Sequence, residues 1–432
     1  SVVDMDAIAV DIVDNMIPVS WDGSTLIKAD KTNQENNWYD YENQKWANAV
    51  LVTDESRESI KTSEVGTTIV ESNVLAYYTY IPRYKYLLWN TNNNVNCLND
   101  NCDSQDITVA FENKTITKST GSNNGEWLTH PAFTFGNSEL NGIWVGKFTT
   151  SADPTTECYD MSFSFLCNNT DINPYIKPNL GMWRNIDISN MFLSAKKFVS
   201  YGLTSNSNVD SHMMKNMEWG AVAYLSHSKY GKRGNTNYSE YNREVYPNNF
   251  VSMQFNNERL TGCSAGYPQA AYDPYECPNS YPSQNLDALG ASTTGNIYGI
   301  YDMAGGVYEY VMGQVVESED TPIGTFNPDS SSGEWNVIPE TKYYDSYAYD
   351  TNELTHERGQ LGDATKETLN SFGSSYGSWY GDFSLFPEAN SIWFMRGGVF
   401  TSTSTTVGIL GFNYATGLPM ANHGFRSILV FE

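Results

Sequence analysis

Apolar residues occur in short runs along most of this chain, and Gly, Asn and Pro separate the runs. Residues 75–81, 107–111, 142–148 and 407–412 are alternating or continuously apolar and have the length of strands. This pattern predicts short, mostly antiparallel strands joined by long loops and insertions. We therefore expect an α+β protein with few helices.

Three stretches have helical spacing instead. Residues 2–16 predict a short N-terminal amphipathic helix. It is either an ordinary packed helix or the remainder of an assembly helix of the kind that pilins use. Residues 191–201 and 211–228 predict two further helices, the second behind an Asp210 or Ser211 N-cap. The methionine-rich stripe of the second is typical of a core, not of a cofactor site.

These patterns divide the chain into two parts. Residues 1–77 form an N-terminal region with the short helix and small β elements, and residues 78–432 form one larger domain. Within that domain, residues 314–375 are acidic, rich in Ser and Gly and weakly periodic. We interpret them as a long surface insertion.

The charge excludes several classes of partner. The formal net charge is −25, although only 17% of the residues are charged. A field of that sign repels phosphate backbones, so we expect no nucleic-acid partner.

No apolar run is long enough to cross a bilayer, so no direct membrane insertion is expected of this chain. Whether an N-terminal anchor was removed stays open. No cofactor is expected, and a structural calcium ion is left open without an EF-hand loop to support it.

Six cysteines occur as three neighbouring couples. The economical assignment is that each couple closes a local loop: Cys97 with Cys102, Cys158 with Cys167, and Cys263 with Cys277. Metal binding is the alternative, but no CxxC pair or His at ligand spacing supports it. Disulfides of this kind indicate an extracellular or periplasmic compartment.

Three motifs together resemble the formylglycine-generating enzymes, whose core is a variant of the C-type lectin fold. Residues 142–149 (GIWVGKFT) resemble an early strand of that family, although its Glu is absent. Residues 217–221 (MEWGA) resemble its helix motif. Residues 295–310 (GNIYGIYDMAGGVYEY) resemble its most specific signature, with Tyr308 and Tyr310 in place of two tryptophans. The resemblance covers roughly residues 78–432 and implies a C-type lectin-like fold.

Two arginine motifs complete the order of landmarks. They are Arg396-Gly-Gly and Gly-Phe-Arg426. In the third motif, Gly299, Gly305 and Gly306 permit tight turns. We expect its residues to be scaffold, with Glu309 bonding to buried backbone.

Catalytic members of the resembled family use a cysteine between the two arginine motifs. This chain has no cysteine after Cys277, and Met395 precedes Arg396. The histidines at 130, 212, 227, 356 and 423 are scattered, which favours structural roles. We therefore expect a protein that is not an enzyme. A formylglycine-generating-type modifying enzyme is the alternative, and a pilin-like structural surface subunit is the second.

The chain also resembles the variable proteins of diversity-generating retroelements, which use the same fold to display a hypervariable surface. Randomised positions in such proteins carry residues encoded by NNC codons. Residues 399–423 contain no charged residue, and only Met420 falls outside the NNC set. The resemblance therefore implies a diversified ligand-binding segment at about residues 399–423.

We predict that this segment binds a protein or cell-surface ligand outside the cell, on a cell or virion surface. An N-terminal helix would allow assembly. The expected contact residues are Thr401, Ser402, Thr403, Ser404, Thr405, Thr406, Ile409, Leu410, Phe412, Tyr414, Thr416, Leu418, Ala421, Asn422 and His423. Aromatic and aliphatic anchors mixed with Ser, Thr and Asn are typical of recognition loops.

Overall fold

A computed structural model describes residues 8–92, 102–159, 166–239, 256, 259–266, 272–273, 275–328, 335–401 and 407–432. Short strands dominate these residues, and most of them pair antiparallel. The helices are α1 (Asp54–Thr62), α2 (Ile188–Ala195), α3 (Asn216–Ser226), α4 (Thr236–Ser239) and α5 (Leu286–Leu289). The expected mixed α+β class with few helices is confirmed at this level.

The largest sheet has seven strands: β1 (Ile17–Asp22), β2 (Thr25–Lys28), β3 (Asn48–Val52), β4 (Val74–Pro82), β10 (Gly142–Gly146), β13 (Val209–Met213) and β19 (Ser427–Phe431). Their order is β13-β19-β10-β4-β3-β1-β2, and every neighbouring pair is antiparallel. Both β3 and β10 are buried along their whole length. Continuous burial of this kind requires cover on both faces of the sheet.

The N-terminal strands belong to this sheet. β3 pairs with β4 from Asn48 opposite Thr79 to Val52 opposite Val74. The expected division between residues 77 and 78 falls inside β4. Residues 17–52 therefore extend the sheet that also contains the C-terminal strand.

The N-terminal helix is a wrong prediction over residues 8–16, which contain no helix, while residues 1–7 lie outside the described part of the chain. Residues 8–13 have no regular secondary structure, and Ile8 is buried in the core while Val10 packs against it. The indole Nε1 of Trp144 donates to the Asp11 carbonyl over 2.7 Å. Tertiary packing and this bond hold an irregular segment where the apolar spacing suggested a helix.

A second sheet carries the C-terminal motifs. Its strands are β14 (Tyr308–Val315), β15 (Asp345–Tyr347), β16 (Trp393–Gly397), β17 (Gly408–Ala415) and β18 (His423–Gly424). The order is β15-β14-β16-β17, and β18 also pairs with β14. β16 is antiparallel to both β14 and β17, whereas β15 and β18 run parallel to β14.

Smaller sheets complete the strand inventory of the described residues. Their strands are β5 (Tyr84–Leu87), β6 (Val109–Phe111), β7 (Trp127–Thr129), β8 (Thr134–Phe135), β9 (Ser138–Glu139), β11 (Ser151–Ala152) and β12 (Pro174–Tyr175). One sheet has the order β6-β5-β7, and the others pair β11 with β12 and β8 with β9.

Two of the helices expected from the sequence are present. α2 and the 3-10 turn Lys196–Ser200 cover the stretch expected at 191–201. The second helix starts later than expected, because Asp210 and Ser211 lie in β13. α3 begins at Asn216, after Lys215 donates its backbone N–H to the Glu218 carboxylate over 2.8 Å.

Residues 314–375 are not a surface insertion throughout. They begin within β14 and include β15, which lies in the second sheet. Asp363 and Glu367 have no exposed area, and the Tyr86 hydroxyl donates to Glu367 over 2.9 Å. Acidic composition suggested solvent, but these carboxyl groups have hydrogen-bond partners that permit burial.

Two of the expected cysteine pairs are confirmed. Cys158–Cys167 and Cys263–Cys277 are disulfides with Cα atoms 5.4 and 5.8 Å apart. The pair expected between Cys97 and Cys102 involves a residue outside the described part of the chain. Local disulfides of this type fit an extracellular location.

Candidate functional site

The two arginines that bound the C-terminal segment are fully buried. Arg396 donates to the carbonyls of Gly411, Asp363 and Ala364, each over 2.9 Å. Its guanidinium also lies 5.7 Å from the Trp219 ring centre. Arg396 therefore joins β16 to β17 and to the buried end of residues 314–375, as the expected scaffold role requires.

Arg426 is held by a carboxylate. Its Nε and Nη2 donate to the two oxygens of Glu309 over 2.9 and 3.0 Å. It also donates to the carbonyls of Gly146 and Tyr301 over 2.7 and 2.9 Å. Glu309 was expected to bond to backbone, but the structure pairs it with Arg426. This ion pair links β14 to the start of β19.

The glycine-rich motif at 295–310 forms the turns that precede β14. Gly305 and Gly306 have φ angles of 75° and 64°, in the left-handed region that favours glycine. The buried carboxylate of Asp302 accepts from the Gly262 backbone N–H over 2.9 Å and from Asn256 Nδ2 over 3.0 Å. The motif is scaffold in this structure, and its last residues, Tyr308 onward, form the strand beside the candidate segment.

The candidate segment 399–423 includes β17, which lies at one edge of the second sheet beside β16. Phe394 of β16 lies opposite Tyr414 of β17, and Met395 lies opposite Asn413. The loop that joins the two strands contains Ser402, Thr403, Ser404, Thr405 and Thr406, which lie outside the described residues. Thr401, just before them, is exposed.

Some predicted contact residues lie in the core instead. Ile409 and Leu410 have no exposed area, Phe412 is 1% exposed and His423 is 6% exposed. Phe412 packs on the Phe394 and Phe386 rings at 6.3 and 5.9 Å. Side chains this deeply buried cannot contact a ligand in this conformation. These four residues therefore belong to the core and not to the contact set in which they were expected.

The other described members of the set reach the surface. Leu418 is 42% exposed, and the remaining ones are half-buried: Tyr414, Thr416, Ala421 and Asn422. Met420, which was excluded because of its codon, is 47% exposed beside them. The surface members therefore lie at the end of β17 and in the loop 416–422 that follows it.

The sheet face adds residues that were not predicted. Because Tyr310 lies opposite Met395 and Met395 opposite Asn413, these three side chains share one face of the sheet. Tyr308, Phe383, Met395 and Asn413 line a shallow depression there. Period-two alternation along β17 does not identify Asn413, because Ile409, two positions before Gly411 on the same side of the strand, is fully buried. No local signal marks Phe383, because residues 383 and 412 meet only in the fold.

The loop 416–422 is fixed to the scaffold through its backbone. Ile188 N–H donates to the Gly417 carbonyl over 3.0 Å, and Asn185 N–H donates to the Met420 carbonyl over 2.9 Å. Tyr308 N–H donates to the Asn422 carbonyl over 2.9 Å. Every one of these bonds uses a carbonyl that any residue type provides.

The strand β17 is held in the same way. Trp219 Nε1 donates to the Ile409 carbonyl over 2.6 Å, and Arg396 Nε donates to the Gly411 carbonyl. Phe412 exchanges backbone bonds of 3.0 Å with residues 383 and 385. The side chains of Trp219 and Arg396 thus bind main-chain carbonyls of the segment. Among its outward side chains, Asn413 makes a local bond, accepting from the Tyr414 backbone N–H over 2.8 Å.

Two buried titratable groups, His423 and Asp382, lie in or directly beneath the segment 399–423. His423 packs edge-on against Tyr310, with ring centres 4.9 Å apart, and burial lowers its pKa to about 4. Asp382 lies beneath Gly408, and burial raises its pKa to about 8 while Arg396 opposes that rise. Burial thus favours the neutral form of both groups, and the side chains of residues 399–423 are themselves uncharged.

The other histidines have structural surroundings. His212 is fully buried between Asp210 and Glu218, at 2.8 Å from each carboxylate. Burial opposes its ionisation, but the Glu218 and Asp210 carboxylates prevail and raise its pKa to about 9. His227 is buried too, and its Nδ1 lies 2.8 Å from the Ala223 carbonyl.

The described residues contain no group of three or more His, Cys, Asp or Glu side chains arranged to hold a metal ion. In the same part of the chain, no helix has the length and apolar character needed to cross a membrane.

No protein-family model and no curated protein matches the sequence. Among solved structures, the chain is similar to Treponema denticola variable protein 1, with 12% identity and a TM-score of 0.29 over 85% of this chain and 99% of the other. A score and an identity this low do not establish a common fold. The chain is thus similar, at this distant level, to a variable protein.

Proposed function

We propose that this chain is a non-catalytic display protein that binds a protein or cell-surface ligand outside the cell. Its scaffold is a C-type lectin-like domain, and its segment 399–423 is diversified by a retroelement. The ligand-contact set is the outward part of that segment, next to the half-buried Tyr308 and Phe383. We infer contacts by Thr401, Asn413, Tyr414, Thr416, Leu418, Met420, Ala421 and Asn422.

The observation that carries the proposal is the backbone attachment of the segment. Bonds to the carbonyls of Ile409, Gly411, Gly417, Met420 and Asn422 fix its path. A surface that must change sequence without unfolding needs such attachment, because a side-chain bond would be lost at each substitution. The buried Ile409 and Leu410 supply the apolar packing that keeps the strand in place.

The chemistry of the outward residues supports recognition. Tyr414 and Leu418 offer apolar contact area, while Asn413 and Thr416 offer hydrogen-bond donors and acceptors. This mixture is typical of adaptable recognition surfaces. Since no side chain of the segment is charged, we expect affinity from apolar burial and hydrogen bonds, with little dependence on salt.

The enzymatic alternative has weaker support. The segment between Arg396 and Arg426 has no thiol, and the buried groups beside it, Asp382 and His423, are covered by packing. The pilin-like alternative depended on a helix at residues 2–16, and residues 8–16 are not helical. We therefore keep the display function as the proposal.

The genome around the coding region tests diversification directly. We expect a reverse-transcriptase gene and a near-identical second copy of the codons for residues 399–423, with differences confined to adenines of the template. Differences at all four bases, or the absence of a second copy, would contradict diversification.

A library tests whether the surface supports recognition. Codons for Asn413, Tyr414, Thr416 and Leu418 are randomised as NNC, and the displayed full-length chains are selected against one arbitrary protein, hen lysozyme. The matched library randomises four exposed positions elsewhere: Val65, Val70, Ile116 and Ile323. Saturable binders from the first library alone are expected; equal yields from both would count against a dedicated surface.

A further inference from the structure

A groove with a volume of about 320 Å³ lies between α2 and residues 335–343. It is separate from the outward residues of the segment 399–423. Phe192 and Leu193 of α2 and Lys196, just after the helix, line one side of it, and Trp335, Val337 and Tyr343 line the other. Its size falls within the range of small-molecule sites, about 300–1,000 Å³.

The floor of the groove is a fixed set of aromatic rings. The Phe192 ring centre lies 5.8 Å from Trp335 and 5.6 Å from Tyr343. Trp335 is supported by Trp393, whose ring is 5.9 Å away and inclined by 24°. Because Trp393 is fully buried, the rings are held in place before any ligand arrives.

The rim is apolar and exposed. Val337 is 78% exposed, Ile338 is 56% exposed and Leu193 is 44% exposed. Exposed apolar residues beside a concave site indicate a binding surface, since each loses its unfavourable contact with water when a ligand covers it.

One cation lies at the groove. The Lys196 Nζ is 5.0 Å from the centre of the Phe192 ring and 5.1 Å from that of Tyr343. Within the part of the chain that the structure describes, Lys196 forms no ion pair. Glu340 also lines the groove; the ammonium of Lys342 lies 3.9 Å from it and is shared with Glu432, to which it donates over 2.7 Å.

We propose that this groove binds a small ligand that combines a flat aromatic ring with a carboxylate. The ring lies on Phe192 and Trp335, between the apolar side chains of the rim. The carboxylate accepts a hydrogen bond from the Lys196 ammonium, which is already placed above the rings. A cationic ligand of the same shape is repelled by that ammonium, and a carboxylate without a ring gains no apolar burial.

Calorimetry on the full-length chain tests this, with indole-3-acetate as the probe. Tryptamine has the same ring and the opposite charge, and acetate has the carboxylate without the ring. We expect saturable binding of indole-3-acetate with one ligand per chain, at least about tenfold weaker binding of tryptamine, and none of acetate. No saturable binding of indole-3-acetate, or equal binding of tryptamine, overturns the proposal.

Variants assign the site. Lys196→Met keeps the apolar stem and removes the charge, so it should weaken indole-3-acetate about tenfold and remove the preference over tryptamine. Val337→Glu should abolish binding, whereas Ile323→Glu, at a residue that is 64% exposed outside the groove, should not. Unchanged binding in both groove variants overturns the assignment.

Thermal melts of each variant verify that it is folded. The variant Leu418→Thr, in the segment 399–423, should leave indole-3-acetate binding intact, because that residue lies outside the groove.

Discussion

Arg426 and Glu309 form a two-point ion pair with at most 1% of either side chain exposed, at 2.9 Å between Nε and Oε1 and 3.0 Å between Nη2 and Oε2. The pair joins the strand that follows the candidate segment to the strand that adjoins its face. Removal of one partner leaves a buried charge without compensation, which is far more costly than the loss of an exposed pair.

Arg426→Met should therefore lower the free energy of unfolding by about 3–5 kcal/mol, measured by urea denaturation. Lys229→Ala, which removes an exposed pair with Glu42 at 3.6 Å, should cost less than about 1 kcal/mol. The double variant Arg426→Met with Glu309→Leu should recover part of the loss, because the Glu309 carboxylate is no longer left without its partner. A double variant less stable than Arg426→Met alone would disprove this account.

The segment 399–423 should separate into tolerant and intolerant positions. Tyr414→Ala and Leu418→Thr should each change the free energy of unfolding by no more than about 0.5 kcal/mol. Leu410→Ala, in the core, should cost about 2–5 kcal/mol. Chemical denaturation checks all three, and equal losses at Leu418 and Leu410 would show that the loop is part of the core.

Gly397, at the start of the loop that leads into the segment, should not tolerate alanine. It has a φ of 87°, and a Cβ there would lie 2.5 Å from the Met303 carbonyl oxygen. Gly125 has the same φ of 87° with nothing within 4 Å of its Cβ position. Gly125→Ala should cost only the backbone strain, about 1–2 kcal/mol, and Gly397→Ala about 1–3 kcal/mol more. Thermal denaturation of the two variants gives the difference, and equal melting temperatures would refute the close contact.

Asp382 should make stability depend on pH. Burial raises its pKa from 3.8 to about 8 in the folded chain, so the folded state retains a proton that the unfolded state releases. Its contribution is complete below about pH 4 and is lost as the pH rises towards 8.

Asp382→Asn cannot ionise, so the free energy of unfolding of the wild type should fall relative to this variant between about pH 4 and 8. The slope of that difference is at most about 1.4 kcal/mol per pH unit. Glu367, whose pKa burial also raises, to about 7, is common to both chains and cancels in the difference. A difference that is constant with pH would contradict the buried, protonated Asp382.

Local patterns in the sequence were sufficient for some elements. The short cysteine spacings predicted the two disulfides that the structure describes, because a short loop limits the alternatives. The apolar spacing of residues 191–201 predicted α2, which buries Met191 and Phe192. The arginines Arg396 and Arg426 were expected as scaffold, and both are buried.

Elements that depend on distant contacts were not predictable in this way. The apolar residues at 8–13 suit a helix and an extended segment equally, and the bond from Trp144 to Asp11 decides between them. Asp363 and Glu367 look like surface acids until Tyr347 and Tyr86 supply hydrogen bonds from other elements. In the candidate site, composition identified the segment, but only the register against β16 separates Phe412, which faces inward, from Asn413, which faces outward.

The position of β19 has a consequence for how the gene can change. This strand, Ser427–Phe431, lies between β10 and β13 in the interior of the seven-stranded sheet, and it is encoded after the codons for residues 399–423. A stop codon or a frameshift introduced among those codons deletes or scrambles an interior strand together with Arg426. A chain with such an error would lack the strand between β10 and β13 and could not complete the seven-stranded sheet, whereas NNC codons include no stop codon and keep this strand in frame.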